Sequence, residues 1–281
     1  RSARFIAGFF FYLFLLILSY FNKEFFMLGA VIGDIVGSRF EFANHRSKEF
    51  ELLHPSCFVT DDSILTFATY DAIANNLLFS EAYKKWTRLY PDKGYSGNFR
   101  FWAFSDNMKP YNSYGNGSAM RVSPCGWASD DLPTVLSLAE KSAAATHNHP
   151  EGIKGALATA HAVFLARMKH SKQDIKKNIE LTYNYSLDFD FDELVRNYRF
   201  DVSCQGTVPQ ALFTFLISDS FEDSLRNAVC IGGDSDTLAA VNGAVAEAFY
   251  GIPRDIQNKA LVFLDSTLLA LLSQFQKQYI R

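Results

Sequence analysis

Three glycines set four residues apart, Gly29, Gly33 and Gly37 in the stretch MLGAVIGDIVGSRFE, constrain this chain more than any other feature of its sequence. On a helix, positions i and i+4 share one face, so together they leave a strip without side chains where a second backbone can approach closely. In a membrane such a strip serves as a dimer face. Here Asp34, Arg39 and Glu41 interrupt it, and the segment reads instead as a helix packed tightly inside a soluble core. Nearly every later element also keeps helical period, and no clear alternating stretch marks a strand. Helices are expected over 64–78, 79–90, 131–145, 151–169, 211–217, 221–230, 238–249 and 254–279. The Gly-, Asn- and aromatic-rich segment 92–114 reads as a surface loop with short helical turns. The expectation is a compact, single-domain all-α fold over 27–281, and 281 residues that are 48% apolar are ample for one large core.

Residues 1–26 have a different texture. Phe5 to Phe21 is an apolar run of about 17 residues, flanked by Arg1, Arg4, Lys23 and Glu24, at the lower edge of membrane-spanning length. Met27 opens a sequence resembling a natural start, so 1–26 reads as an upstream extension of the reading frame, with a membrane anchor as the alternative. A net charge of −3 and the lack of any Lys/Arg cluster exclude a nucleic-acid footprint. Cys57, Cys125, Cys204 and Cys230 are scattered with no CxxC pair, which suits a reducing, cytoplasmic compartment better than a disulfide framework.

Two acidic turns carry the chemistry. Gly232-Gly233-Asp234-Ser235-Asp236-Thr237 puts two carboxylates and hydroxyls on a glycine-loosened turn before a buried small-residue helix, and Thr60-Asp61-Asp62-Ser63 repeats the arrangement far upstream. Oxygen donors of this kind suit Mg²⁺, Mn²⁺ or Ca²⁺, whereas zinc or copper would call for nearby Cys or His. Asp and Ser are also ordinary helix caps. If the turns converge, their acids would repel one another unless cations neutralised them. Convergence and metal binding therefore stand or fall together.

Tyr114-Gly115-Asn116-Gly117-Ser118-Ala119-Met120-Arg121 is either a tight turn or a cradle of backbone N–H groups for phosphate. In Thr146-His147-Asn148-His149-Pro150 the two histidines lack a third soft ligand, so a His that caps a helix C-terminus or touches a ligand is expected rather than zinc. Asp188-Phe189-Asp190-Phe191-Asp192 mimics the start of a calcium loop but lacks its glycine and reads as a solvated turn.

Taken together, GDIVGSRFE at 33–41, TDDS at 60–63, YGNGSAMR at 114–121, TH at 146–147, GTVPQA at 206–211 and GGDSDT at 232–237 resemble the ADP-ribosylglycohydrolase family, in family order from Met27 to about Pro253. The resemblance implies an all-helical hydrolase with two divalent cations, Mg²⁺ or Mn²⁺, in its cleft, acting on the glycosidic bond between ADP-ribose and a modified protein side chain or related acceptor. It places metal ligands at Thr60, Asp61, Asp62, Asp234, Asp236 and Thr237, and a diphosphate loop at Gly115, Asn116, Gly117 and Ser118. His147 falls near the ligand, Tyr114 on a candidate adenine-stacking ring, and Glu41 on an acid beside the metals. Glycoside cleavage needs a base for the attacking water, and an acid beside the metals, Glu41 or Asp62, is expected to supply it. The alternatives are a hydrolase of another N- or O-glycoside and a non-catalytic ADP-ribose-binding protein.

Overall fold

The structure, a computed structural model, describes residues 27–279. In chain order its helices are α1 (Leu28–Gly37), α2 (Asp61–Ala74), α3 (Phe79–Leu89), α4 (Gly97–Phe104), α5 (Gly117–Met120), α6 (Ser123–Trp127), α7 (Leu132–Ala144) and α8 (Pro150–Arg167). They continue as α9 (Lys172–Tyr183), α10 (Phe191–Asn197), α11 (Cys204–Leu216), α12 (Phe221–Cys230), α13 (Ser235–Tyr250), α14 (Arg254–Leu261) and α15 (Ser266–Tyr279). Among the described residues there is no strand, only an isolated bridge between Gly115 and Ser203. The expected all-α domain is what the chain forms, around one continuous apolar core.

The glycine strip decides how that core is assembled. α1 runs antiparallel to α13, with Gly29 against Gly243, Gly33 against Ala239 and Gly37 against Ser235. A Cβ at Gly33 would lie 1.9 Å from the Ala239 carbonyl oxygen, and one at Gly37 2.3 Å from that of Ser235. α1 has no room for a side chain at these positions. Small residues at every fourth position of α13 complete the match, and α13 is buried from Ser235 to Ala248. Glu247 closes the far end: its two carboxylate oxygens accept the N–H groups of Leu28 at 3.2 Å and Gly29 at 2.8 Å, donors that a helix start leaves unpaired. Around this pair pack α2, α8, α11 and α12. Buried Asn242 ties α11 and α12 to α13, donating to Thr214 Oγ1 at 2.9 Å and accepting from Ser224 Oγ at 2.7 Å.

Several expected boundaries move. The helix expected at 64–78 begins at Asp61, so the first acidic turn lies inside it. The one expected at 211–217 begins at Cys204, capped by the Ser203 side chain accepting from Gly206 N. The final helix expected over 254–279 is two helices. Asp265 accepts from Thr267 N at 2.9 Å and Leu268 N at 3.0 Å, and such a side-chain cap starts a new helix. The 92–114 segment is not all surface, because α4 sinks Phe99, Trp102 and Ala103 into the core. Asp190 of the calcium-like stretch caps α10 by accepting from Glu193 N. All four cysteines are free and buried. No helix among the described residues is long and apolar enough to cross a membrane, and the apolar run Phe5–Phe21 lies outside them.

Gly33→Ala forces a Cβ into the backbone of α13 and is expected to cost about 1–3 kcal/mol or more. Gly97→Ala, where a Cβ meets nothing within 4 Å, should stay within about 0.5 kcal/mol of the parent. Urea unfolding of the two variants beside the parent measures both.

Candidate active site

One residue beyond Gly33, fully buried Asp34 turns toward the start of α2. Its carboxylate accepts Thr60 Oγ1 at 2.6 Å, Thr60 N at 3.0 Å, Ser63 N at 3.1 Å and the Ser63 hydroxyl. A carboxylate suits a helix N-terminus, where unpaired N–H groups and the helix dipole favour negative charge. Thr60 then caps α2 by accepting from Asp62 N at 3.2 Å. These bonds fix the direction in which Asp61 and Asp62 leave the helix.

The second turn is held by the loop that follows α1. Gly232 and Gly233 have φ of 70° and 80°, a left-handed conformation that glycine adopts without strain. Asn44 grips Gly233 from both sides, accepting its N–H at 2.8 Å and donating to its carbonyl at 2.9 Å. Arg46 donates to the carbonyls of Ile231 and Val195 at 2.6 Å and of Tyr198 at 2.7 Å. This grip brings Glu41 to the turn, so that carboxylate oxygens of Glu41, Asp234 and Asp236 lie within 4.8 Å of one another. Thr237 Oγ1 donates to Asp62 Oδ2 at 3.3 Å, so the two acidic turns, remote in sequence, meet.

The Gly-Asn-Gly turn joins the same place. Asn116 Nδ2 donates to Asp234 Oδ2 at 2.7 Å and to Thr207 Oγ1 at 3.0 Å. Buried His147 lies beside the turn: a Cβ at Gly117 would stand 3.2 Å from its Nε2. A cleft of about 540 Å³ is lined by Glu41, Asp61, Asp62, Asp234, Asp236 and Thr237, by Tyr111 to Gly117, and by Arg121 and His147. A roomier cavity of about 760 Å³ around Trp127, Arg167 and Tyr250 holds none of these groups.

Two of the residues expected in the site turn inward. Thr60 spends its hydroxyl on Asp34 and on Asp62 N. Ser118 is fully buried and donates to the Gly152 carbonyl at 2.7 Å, so only its backbone is available to the turn. Tyr114 is half-exposed, its ring tilted against His149 at 5.3 Å. His149, rather than His147, is the capping histidine, and it accepts from Glu151 N at the start of α8.

The electrostatics are one-sided. Burial pushes the carboxyls of Asp61, Asp62 and Asp236 well above the usual carboxylate range, and the charges of neighbouring acids push them further. Burial, then Asp234 and Asp34, raise Glu41 to about 7. Asp234 is raised by burial against hydrogen bonds from Asp236 and Asn116. No Lys or Arg forms an ion pair with any of them among the described residues. Such a cluster must take up protons or cations. Its donors are all oxygen, and Asp62 Oδ1 is buried without a hydrogen-bond partner, so the residues fit a hard divalent cation better than a soft one.

Sequence reading missed four groups on which this geometry depends: Asp34, Asn44, Arg46 and Arg121. Asp34 and Arg121 sit inside motifs already singled out. Nothing in FANHR at 42–46 distinguishes Asn44 or Arg46 from solvated loop residues.

Buried acids of an all-helical domain thus converge on one cleft, and the family and relatives of the chain are those of glycosidase-type hydrolases. The chain belongs to the ADP-ribosylglycohydrolase family, whose model matches residues 26–278. It is similar to ADP-ribosylhydrolase ARH3 of Mus musculus, 26% identical across 87% of this chain and 88% of that protein. ADP-ribosyl-[dinitrogen reductase] glycohydrolase of Rhodospirillum rubrum is 28% identical across 85% and 88%. Among solved structures, one described as an ADP-ribosylglycohydrolase-related protein complex shares the fold at a TM-score of 0.68 and 24% identity, covering 90% of this chain and 96% of that one.

The acid cluster gives a signed prediction. In EDTA-treated protein, Glu41 sits at about 7 in the fold against its ordinary 4.5. The stability it contributes is therefore full below about pH 4.5 and lost as pH rises through about 7. Glu41→Gln should raise the Tm of metal-free protein at pH 8 and leave it nearly unchanged at pH 4.5. Mn²⁺ or Mg²⁺ at a hundred times its Kd should stabilise the parent at pH 8 by about 2.7 kcal/mol. Thermal unfolding followed by circular dichroism reads all three.

Proposed function

We propose that this protein hydrolyses the glycosidic bond joining ADP-ribose to a modified protein side chain or related acceptor, with a divalent cation, Mg²⁺ or Mn²⁺, held by the acid cluster. The observation that carries this reading is the meeting of Glu41, Asp234 and Asp236 within 4.8 Å, in a cleft whose wall includes the Gly115–Gly117 turn, in a chain of this family. The residues assigned to the cation site are Asp61, Asp62, Asp234, Asp236 and Thr237, with the orphaned Asp62 Oδ1 the clearest free ligand atom. A cation bound there supplies Lewis acidity toward ribose hydroxyls and water.

Glu41 is the proposed general base. It lies on a loop rather than a helix, is only partly buried, and is poised near neutrality, where a base works best. Asp62, the other candidate, is buried and already accepts from Thr237. As the bond from ribose C1 to the acceptor breaks, its electron pair leaves with the acceptor and C1 gains oxocarbenium character. Water adds to C1, and its proton passes to the Glu41 carboxylate.

The rest of the cleft orients the substrate. Gly115 N is spent on Ser113 Oγ and Asn116 N on the Val202 carbonyl, which leaves Gly117 N and Ser118 N as the candidate diphosphate donors. Half-exposed Tyr114 is the candidate ring for the adenine. Binding energy from these remote groups is what positions C1 against the base. The relative from Rhodospirillum rubrum carries an ADP-ribosylated protein in its name, which supports a modified side chain as the acceptor here.

The test is release of ADP-ribose from proteins modified on Arg or on Ser, with Mg²⁺, Mn²⁺ or EDTA. Release should require a divalent cation and fall by about 10²–10³-fold in Asp236→Asn, as when other charge-stabilising groups in active sites are removed. Unchanged turnover and metal affinity in that variant would overturn the assignment of the site.

A further inference from the structure

Among the described residues Arg121 is the largest side chain with no solvent exposure, and no acidic side chain there pairs with it. Burying an unpaired guanidinium costs several kcal/mol, so its few contacts are informative. The charge lies 4.0 Å from the Tyr83 ring centroid and 6.0 Å from that of Phe99. One nitrogen, Nη2, donates to the Ser142 carbonyl at 3.0 Å and to Thr146 Oγ1 at 2.8 Å. Nε and Nη1 have no partner. Thr146 Oγ1 in turn lies 2.7 Å from Nδ1 of His147.

These distances determine where the protons are. Arginine only donates, and a threonine hydroxyl carries one hydrogen. With Nη2–H directed at Oγ1, the hydroxyl is free to give its own hydrogen to His147 Nδ1. In the reverse arrangement Oγ1 would accept twice and its hydrogen would find no acceptor among its short contacts. Nδ1 is therefore the acceptor, and the proton of the neutral ring sits on Nε2. Burial, reinforced by the Arg121 charge, disfavours the imidazolium, so the ring does not simply take up a second proton.

Nε2 is the atom that reaches the site. It would be 3.2 Å from a Cβ at Gly117 and 3.6 Å from one at Gly115, so it abuts the backbone of the turn in the wall of the cleft. With a lone pair there, Nε2 would repel an anionic oxygen. With a hydrogen, it donates to one.

We propose that Arg121 is a positioning residue which, through the Thr146 hydroxyl, holds His147 as its Nε2–H tautomer and so presents the cleft with a neutral N–H donor for an acceptor oxygen of the ligand, of the phosphate type. The tautomer stands on the protein's own hydrogen bonds. The identity of the oxygen rests on the proposed ADP-ribosyl substrate.

The experiment is ¹⁵N NMR of the full chain labelled at histidine, with the His147 signals assigned by their loss in His147→Gln. The parent and Thr146→Ser should show a pyridine-type Nδ1 and a pyrrole-type Nε2. Thr146→Val, which keeps the shape but removes the hydroxyl, and Arg121→Met should lose that single pattern. If Arg121→Met fails to fold, the Val and Ser pair still decides. An Nδ1–H tautomer in the parent, or an unchanged pattern in Thr146→Val, overturns the proposal. Calorimetry with ADP-ribose gives the second readout: Thr146→Val should bind about tenfold more weakly, the value of one hydrogen bond to a charged group, and Thr146→Ser should recover. A parent that shows the stated tautomer but does not bind ADP-ribose would overturn the substrate reading and leave the role of Arg121 standing.

Discussion

The backbone contact between α1 and α13 is the interaction on which the rest of this structure depends. Two helices approach this closely only where the facing side chains are absent or small, and the match of Gly29, Gly33 and Gly37 with Gly243, Ala239 and Ser235 supplies that condition. The residues beside the strip then have no choice of place. Asp34, next to Gly33, points at the start of α2, and Asp236 lies against Gly37. The tightest packing in the protein and the placement of its acids are therefore one constraint, and a loosened helix pair would also disperse the carboxyls.

Holding that many acids together works against stability, and the surrounding hydrogen bonds show how the fold sustains it. Asp34 is absorbed by the N-terminus of α2, whose hydrogen bonds offset part of the burial that raises its carboxyl. Asn44 and Arg46 bind carbonyl and amide groups of the Gly232–Gly233 turn rather than the acids themselves. The acids are positioned without being neutralised, so their unmet charge remains available to a cation. Glu41 arrives on a loop, the least constrained of the set, which suits the role of base proposed for it.

The cleft also has a cationic counterpart that forms no ion pair among the described residues. Arg121 is buried against aromatic rings and a carbonyl oxygen, and its hydrogen bond to Thr146 carries its effect on to His147. Acids set the character of one part of the cleft, and an N–H donor fixed from behind sets that of the Gly115–Gly117 wall. A substrate with a hydroxyl-bearing sugar and an anionic tail matches such a division.

Much of this was legible in one dimension. Helical period, the glycine strip and the oxygen-rich turns are local patterns, because helix geometry repeats over three or four residues and cap chemistry acts within one turn. All-α architecture and the choice of candidate acids follow from them. The break before Ser266 was missed because Asp265 is one cap residue inside an otherwise continuous pattern. The family resemblance puts Thr60 and Ser118 in the site, and a motif shows that a hydroxyl exists, not which way it turns. The roles of Asp34, Asn44, Arg46 and Arg121 are decided by contacts with segments far along the chain, such as Asn44 with Gly233 and Arg121 with Thr146. Sequence alone determined which chemical groups this protein has and which helices carry them. Only the tertiary structure decided which meet, because hydrogen bonds and charge act over a few ångströms of space whatever their separation along the chain.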